Sequence, residues 1–326
     1  MSGSATRSGI IDVQTHYVGR EAARILARHV EGGGILHGLG SQLGDKDAMP
    51  GLDARLAAMD AAGVSVSVLS FAPLGGIADD SLRADLCSAA NDALLEACRV
   101  YPQRFVAAAA LPLPDTEASL REMQRVGGAA AFRAIQVVAQ TTAYQPDRPD
   151  MEALFAAIAA AGLPVLIHAA AGVADLSPHF EPYGLSSGMH AMVSHALVGA
   201  RIIQSGMLDR IPRLELILTH LGGILPFLIE RLDSRHQGPA ARPPSHYLRT
   251  RVTVDNCGYP AGAALRCALE VFGADRIMVG SDWPSRAIAP AVAAVRALGL
   301  DGAAEQAILR DNAARWFDPA RPRRIQ

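Results

Sequence analysis

The chain has 326 residues, of which 50% are hydrophobic, and a formal net charge of −2. This is enough for a large core, and the near-neutral charge indicates neither a nucleic-acid partner nor a membrane partner. No apolar run approaches the roughly 18 residues of a membrane span, and the amino-terminal stretch lacks the apolar segment of a secretion signal. The 4 cysteines form no CxxC pair, which is typical of reduced thiols. We therefore expect a cytoplasmic protein.

Short, mostly apolar runs alternate with helical patterns along the chain. Each run has the length and the near-continuous apolar character of a buried parallel strand. The predicted strands cover residues 10–13, 64–71, 105–113, 134–138, 164–167, 214–218, 251–255 and 276–280. The predicted helices include residues 52–62, 81–101, 115–126, 150–161, 189–205 and 261–272, and the last ones lie within about 287–317.

Eight strand-then-helix units predict a (β/α)₈ TIM barrel, in a single domain that covers residues 1–326. The alternative is an open doubly wound sheet, which normally carries a glycine-rich phosphate turn after its first strand. That position holds Gln14, Thr15 and His16, which argues against the open sheet. A small, irregular, glycine-rich insertion at about 19–50 follows strand one, and we expect it to cover a pocket.

Polar side chains stand at the tips of strands one, five, six and eight. The carboxyl ends of the parallel strands of a barrel lie at one face, and the active sites of such barrels lie at this face. We therefore expect one site that contains Gln14, His16, His168, His220 and Asp282. Three histidines and one aspartate suit a borderline divalent metal, and a spare histidine can act as a general base.

Structural roles compete with functional ones at several positions. Asp282 could cap the turn that follows it, and Asp255 with Asn256, at the end of strand seven, could either line the pocket or form a turn. His190 and His195 lie five residues apart on a helix, off a common face, so they are weak metal candidates.

Several sequence blocks between residue 10 and about residue 285 occur in the order of a known family: IDVQTHYV, LIHAAAG, LELILTHLGGILPFLIER, VTVDNCGYP and DRIMVGSDWP. With these blocks the chain resembles the amidohydrolase superfamily, in the branch that contains α-amino-β-carboxymuconate-ε-semialdehyde decarboxylase and related aromatic-acid decarboxylases. The resemblance implies a carboxy-lyase: a metal-dependent, non-oxidative decarboxylase of an unsaturated or aromatic carboxylic acid. It also implies a homodimer.

The resemblance assigns a metal site residue by residue. His16, His168 and Asp282 match metal ligands, and Asp282 can also shuttle a proton. His220 matches the histidine that activates water at the metal. The family's HxH pair is here replaced by Gln14-Thr15-His16, so Gln14 offers only a weak, neutral carbonyl oxygen. We expect zinc, with manganese as the alternative.

Substrate contacts follow from the same resemblance. Arg231 matches an arginine that binds a substrate carboxylate in the neighbouring subunit of a dimer, although an ion pair with Glu230 or Asp233 is the alternative. Arg55 lies in a segment that supplies another carboxylate-binding arginine. Tyr183, in the loop at 169–187 that we expect to shape the pocket, is a third candidate.

Two further functions stay open at this stage. The same site could hydrolyse a lactone, an amide or another carbonyl compound, and the superfamily also contains metal-independent lactonases. An inactive barrel that binds a ligand or a partner protein is the third hypothesis, and Gln14 is its only support. Release of carbon dioxide, as opposed to ring opening of a lactone, distinguishes the first two functions.

Overall fold

The computed structural model describes residues 9–29, 51–71, 79–139, 145–169, 177–180, 182–259 and 262–322. Its eight strands are all parallel, and each is hydrogen-bonded to the next one along the chain. The strands are β1 (Ile10–His16), β2 (Val64–Ser70), β3 (Phe105–Ala110), β4 (Phe132–Ala139), β5 (Val165–Ala169), β6 (Leu216–Leu218), β7 (Val252–Asp255) and β8 (Ile277–Met278).

Helices connect the strands and form the outer layer. They are α1 (Arg20–His29), α2 (Leu52–Ala62), α3 (Asp80–Val100), α4 (Thr116–Gly127), α5 (Pro149–Ala160), α6 (Ser177–Phe180), α7 (Ala191–Gln204), α8 (Met207–Arg210), α9 (Leu225–Ser234), α10 (Pro244–Thr250), α11 (Gly262–Phe272), α12 (Ile288–Arg296), α13 (Gly302–Gln306) and α14 (Asn312–Phe317). Among the helices of the described ranges, none is both long and apolar enough to cross a bilayer.

Backbone hydrogen bonds join the first strand to the segment around the last one. The amide of Val13 donates to the carbonyl of Val279 at 2.8 Å, and the amide of His16 donates to the carbonyl of Trp283 at 2.8 Å. The sheet therefore forms a nearly closed barrel, which confirms the predicted (β/α)₈ fold.

The barrel interior is filled by residues that alternate along the strands. Val66 and Val68 of β2 belong to one buried cluster together with Val106 and Ala108 of β3. Because the side-chain period of a strand is two, Leu69 of β2 and Ala107 of β3 face the outer helices, and they belong to the larger core cluster.

The carboxyl-terminal helix α14 covers the end of the barrel where the strands begin. The side chain of Asn312 donates to the carbonyl of Ile277, the first residue of β8, at 2.7 Å. Phe317 packs into the interior cluster with Ile11 of β1. The opposite end, where the strands finish, therefore carries the polar residues singled out in the sequence.

The expectation of an irregular insertion over 19–50 is wrong for its first part, where α1 spans Arg20–His29. Ala22 and Leu26, four residues apart on one face of α1, are buried against Leu86 and Ala90 of α3. This packing stabilises a helix that the neighbouring glycines obscured in the sequence. Residues 30–50 lie outside the described ranges.

The loop expected at 169–187 also contains regular structure. The short helix α6 and a helical turn at Pro182–Gly184 lie within it, and residues 170–176 and 181 are outside the described ranges. Strand β8 has 2 residues, fewer than predicted, because the chain turns sharply after it. Asp282 within this turn has a φ of 67°.

A tight turn follows β6 and brings the chain directly into α9. Gly223 in this turn has a φ of 65°, a conformation that favours glycine. A Cβ atom at this position would lie 2.2 Å from the carbonyl oxygen of Met192 on α7. Both the backbone conformation and the close approach therefore require glycine here.

We expect Gly223→Ala to lower the free energy of unfolding by more than about 1 kcal/mol, because the new methyl group meets backbone in a strained conformation. Urea unfolding followed by circular dichroism measures this loss. Gly127→Ala is the matched control, because no heavy atom lies within 4 Å of the added Cβ. Equal stability of Gly223→Ala and the parent protein would contradict the role assigned to this turn.

Candidate metal centre

Three side chains from distant parts of the chain converge where the strands end. His16 ends β1, His168 is the penultimate residue of β5, and Asp282 follows β8. The Nε2 atom of His16 lies 3.0 Å from Oδ1 of Asp282 and 3.1 Å from Nε2 of His168. One possible ligand atom of each residue lies within 4.8 Å of the others. They form a candidate site for a divalent metal.

Contacts on the far side of both imidazole rings determine which nitrogen carries the proton. Nδ1 of His168 lies 2.7 Å from the carbonyl oxygen of Ala169 and therefore donates to it. The Ser70 hydroxyl donates to the carbonyl of Thr15 at 3.0 Å, so it accepts from Nδ1 of His16 at 3.2 Å. In both rings Nδ1 is thus the nitrogen that faces away from the centre and Nε2 the one that faces it, as in metal-binding histidines.

Burial and neighbouring charges set the protonation of the centre. Burial, together with the charges of His16 and His220, keeps the pKa of His168 well below its usual value. Burial raises the pKa of Asp282, but its hydrogen bond to His16 and the charges of the surrounding histidines outweigh this and lower the pKa to about 2. A carboxylate and a neutral imidazole at pH 7 are suitable ligands for a borderline cation.

Gln14 is fully buried and contacts the same group. Its Nε2 lies 2.9 Å from Nε2 of His168 and 3.3 Å from Oδ1 of Asp282, and donates to both. Its Oε1 is buried and has no hydrogen-bond partner within the described part of the chain. An unsatisfied carbonyl oxygen costs about 1–3 kcal/mol, and ligation of a cation would satisfy it. The side chain of Gln14 therefore fits a metal site.

His220 follows β6 and approaches this centre from another side. The centroid of its ring lies 5.6 Å from that of His168, and the two planes are nearly perpendicular. Burial lowers the pKa of His220, so its ring is neutral at pH 7 and can accept a proton. Its φ of 51°, like that of Asp282 at 67°, is rare for residues other than glycine. Such strain is often found at functional sites.

Asp255 holds the backbone that carries His220. Its Oδ1 accepts hydrogen bonds from the amides of His220 and Cys257, each at 3.0 Å. Burial raises the pKa of Asp255 to about 7, although these two hydrogen bonds lower it. Of the two roles left open for Asp255, its contacts favour the support of turns over lining of the pocket.

Asp12 holds the turn that carries Asp282, and the sequence did not single it out. It accepts from the Ser281 amide at 3.0 Å through Oδ1 and from the Ser281 hydroxyl at 2.6 Å through Oδ2. Burial raises the pKa of Asp12 to about 6 in spite of these bonds. The sequence did contain a signal of this role. An aspartate within a buried strand is energetically costly unless hydrogen-bond donors surround it.

Arg55 supports the tip of β1. Arg55 is 1% exposed, and one terminal nitrogen donates to the Thr15 hydroxyl at 2.8 Å while the other donates to the carbonyl of His16. Its guanidinium lies 4.3 Å from the ring centroid of Trp283. Burial lowers the pKa of Arg55 to about 9, so it stays charged at pH 7. Contact of Arg55 with a substrate carboxylate stays a prediction.

Arg231 and Tyr183 lie outside the buried cluster. Arg231 is exposed on α9 and makes no ion pair with a described residue, so the alternative pairing with Glu230 or Asp233 is absent. Tyr183 is 95% exposed and has a φ of 63°. Substrate contacts of both residues stay predictions.

The two histidines near the start of α7 are buried but do not belong to the cluster of His16, His168 and Asp282. His190 stacks on Phe180 with 4.7 Å between the ring centroids. Burial, helped by the charge of His220, lowers the pKa of His195 to about 3. Their spacing in the sequence gave no sign of either environment.

A family model described as amidohydrolase matches residues 11–318. The chain belongs to the amidohydrolase family. This confirms the resemblance seen in the sequence blocks. A gamma-resorcylate decarboxylase of Rhizobium sp. is 31% identical to this amidohydrolase over 283 residues, which cover 81% of the chain and 86% of the relative.

Solved structures of related enzymes share the fold. The 5-carboxyvanillate decarboxylase of Sphingomonas paucimobilis matches this amidohydrolase with a TM-score of 0.85 and 26% identity, over 95% of this chain and 98% of that one. A 5-carboxyvanillate decarboxylase of Novosphingobium aromaticivorans was solved with manganese and 4-hydroxy-3-methoxy-5-nitrobenzoic acid. It matches with a TM-score of 0.84 and 26% identity, over 94% of this chain and 95% of that one. These relatives are decarboxylases of aromatic acids, and one of them binds a divalent metal.

We expect Ser281→Ala to lower the free energy of unfolding by about 1.5–3 kcal/mol, because the buried carboxylate of Asp12 loses the hydrogen bond that the Ser281 hydroxyl donates to it. Ser119→Ala is the control: its hydroxyl donates to the neutral carbonyl of Asp115 at 2.7 Å, and its loss should cost about 1 kcal/mol or less. Urea unfolding of both variants measures the difference. Equal losses would show that Asp12 does not depend on Ser281.

Proposed function

We propose that this amidohydrolase is a metal-dependent, non-oxidative decarboxylase of an aromatic carboxylic acid. The observation that carries the proposal is the convergence of the Nε2 atoms of His16 and His168 with the Asp282 carboxylate, beside the ring of His220. The relatives support the substrate class, because gamma-resorcylate and 5-carboxyvanillate are both aromatic carboxylates.

His16, His168 and Asp282 would hold the cation, with Oε1 of Gln14 as a further, neutral ligand. A divalent cation bound there supplies a Lewis acid that polarises a substrate oxygen. Zinc is the expected ion because two imidazoles contribute. Manganese is the alternative, since the Novosphingobium relative contains it.

Decarboxylation of a ring replaces the carboxylate by hydrogen. One proton is added to the ring carbon, the bond to the carboxylate breaks, carbon dioxide leaves, and the bonding electrons stay with the ring. His220 is neutral at pH 7 and can take up a proton on its imidazole. Asp282 is ionised at rest, so it would first take a proton that originates from water, then pass that proton to the ring carbon and return to its ionised form.

We expect His220→Ala to reduce carbon dioxide release by about 10²–10⁴-fold, the usual contribution of a general acid–base group, while the bound metal is retained. His16→Ala and His168→Ala should lose both metal and activity. Plasma mass spectrometry measures the metal, and carbon dioxide release from gamma-resorcylate and 5-carboxyvanillate measures the reaction. His246→Ala, which changes an exposed histidine, is the control and should retain both.

Three results would contradict the proposal. The absence of bound metal after incubation with zinc and manganese would exclude the mechanism. Ring opening of a lactone without carbon dioxide release from any aromatic acid would favour the hydrolase. Retained ligand binding without either reaction would favour the inactive barrel.

We further propose a homodimer in which α9 faces a second copy of the chain. Phe227 is 83% exposed on this helix, and Arg231 follows it by four residues and thus lies on the same face. An exposed aromatic residue beside an arginine that has no ion pair with a described residue is suited to an interface. Arg231 would bind the carboxylate of the substrate in the partner's site by charge-assisted hydrogen bonds. The cytoplasmic location stays a prediction from the sequence.

Mixing two inactive variants tests this arrangement. His220→Ala and Arg231→Ala should each be nearly inactive, whereas equal amounts of the two, dissociated and reassociated, should recover about a quarter of the parent activity, since half of the dimers are mixed and each has one complete site. Sedimentation of two differently tagged chains verifies that mixed dimers form. Mixed dimers without recovered activity would place Arg231 in its own subunit's site or outside catalysis.

A further inference from the structure

The amide nitrogen of Gln14 binds the same two acceptors that would ligate a cation. It donates to Nε2 of His168 at 2.9 Å and to Oδ1 of Asp282 at 3.3 Å. Both acceptor atoms also belong to the candidate metal cluster. A lone pair that accepts a hydrogen bond from Gln14 is not available to a metal at the same time. The amide of Gln14 and a cation therefore compete for these atoms.

The protonation of His168 decides which end of the Gln14 amide must face it. Nδ1 of His168 donates to the carbonyl of Ala169 at 2.7 Å, so its Nε2 is an acceptor. An amide oxygen turned toward two acceptors would be repelled by both. The NH₂ end is thus favoured there, although Oε1 of Gln14 is then buried without a partner among the described residues.

A cation on the cluster reverses this preference. The lone pairs of His168 and Asp282 then point at the metal, and the NH₂ end of the amide faces a positive charge. Rotation of the amide by about 180° exchanges its nitrogen and oxygen with little change of shape. The rotation removes the repulsion between the NH₂ group and the cation. It also allows Oε1, which had no hydrogen-bond partner among the described residues, to ligate the cation.

We propose that the Gln14 carboxamide is an internal competitor for the metal that becomes a metal ligand when it rotates. This proposal rests on the proposed function, in that it places the cation on His16, His168 and Asp282. Gln14 is neutral, so a divalent cation with the single carboxylate of Asp282 leaves a formal charge of +1 at the centre. That charge attracts an anionic substrate, while the competing amide makes the metal exchange more readily.

The first test removes the amide and measures the metal-free protein in a chelator. Gln14→Leu should lower the melting temperature by about 3 °C or more, because His168 and Asp282 lose their donor. Gln136→Leu is the matched control, because both polar atoms of this buried glutamine on β4 lack partners in the described ranges. It should not lower the melting temperature. A change in melting temperature equal to that of Gln136→Leu would overturn the proposal, because the amide of Gln14 would then contribute nothing as a donor.

The second test measures zinc binding by calorimetry. Gln14→Glu should bind zinc about 10-fold more tightly or better, because a carboxylate ligates without competing for the acceptors. The melting temperature of metal-free Gln14→Glu should fall, because the new negative charge lies beside the negative charge of Asp282. Gln14→Leu should bind zinc within about 3-fold of the parent, since it loses a ligand and a competitor together. Zinc binding that is at least 10-fold weaker in Gln14→Leu would overturn the competitor role.

The third test observes the amide directly. In protein labelled with ¹⁵N at glutamine, the NH₂ signal of Gln14 is identified as the one that is missing in Gln14→Leu. This signal should shift when one equivalent of zinc binds, because the NH₂ group then no longer donates to His168 and Asp282. Bound zinc with an unchanged signal would overturn this proposal alone. No zinc binding to the parent, Gln14→Glu or Gln14→Leu would overturn the proposed metal site, and this proposal with it.

Discussion

The hydrogen bonds between β1 and the segment after β8 are the contacts on which the candidate site depends. They join residues that are far apart in sequence: His16 and Asp282, which are separated by 266 positions, meet at 3.0 Å. The amide of Asp282 donates to the carbonyl of Gln14 at 3.0 Å, so closure of the barrel and assembly of the centre are the same event. The Asp12–Ser281 contact adds a buried, charge-assisted bond to this seam.

The candidate metal centre contains buried polar groups and strained backbone, and both oppose folding unless other contacts stabilise them. Two imidazole rings and a carboxylate are buried within hydrogen-bond distance, and the backbones of His220 and Asp282 have positive φ angles. Such an arrangement is retained where the surrounding structure holds it. Here the support comes from Asp255 under His220, Asp12 under the turn of Asp282, and Arg55 behind β1. The residues that hold the site are thus as polar and as buried as those that form it.

The sequence predicts the barrel well because a parallel strand buried on both faces leaves a clear apolar run, and the strand order of such a barrel follows the chain. It also brings Gln14, His16, His168, His220 and Asp282 to one end, since this placement follows from the strand direction alone. The sequence fails where tertiary packing decides. Helix α1 depends on contacts with α3, which no local pattern among its glycine-rich neighbours reveals.

Arg55 shows a second limit of sequence-based prediction. A family motif can place an arginine near a site, but whether its donors face a substrate or the backbone depends on the surrounding packing. The same holds for Asp12 and Ser281, whose partnership spans 269 positions. Both are ordinary residues in the sequence, and their burial and mutual contact exist only after the barrel has closed.

The closure of the barrel also fixes when the centre can first exist during protein synthesis. A ribosome releases β1 with His16 first, β5 with His168 later, and the turn with Asp282 last of the three. Until that last segment emerges, β1 and β7 have unpaired edges on which other chains can pair. The three residues of the candidate metal centre therefore coexist only after the turn with Asp282 has been released. A cation held by all three could be bound no earlier than that point of synthesis.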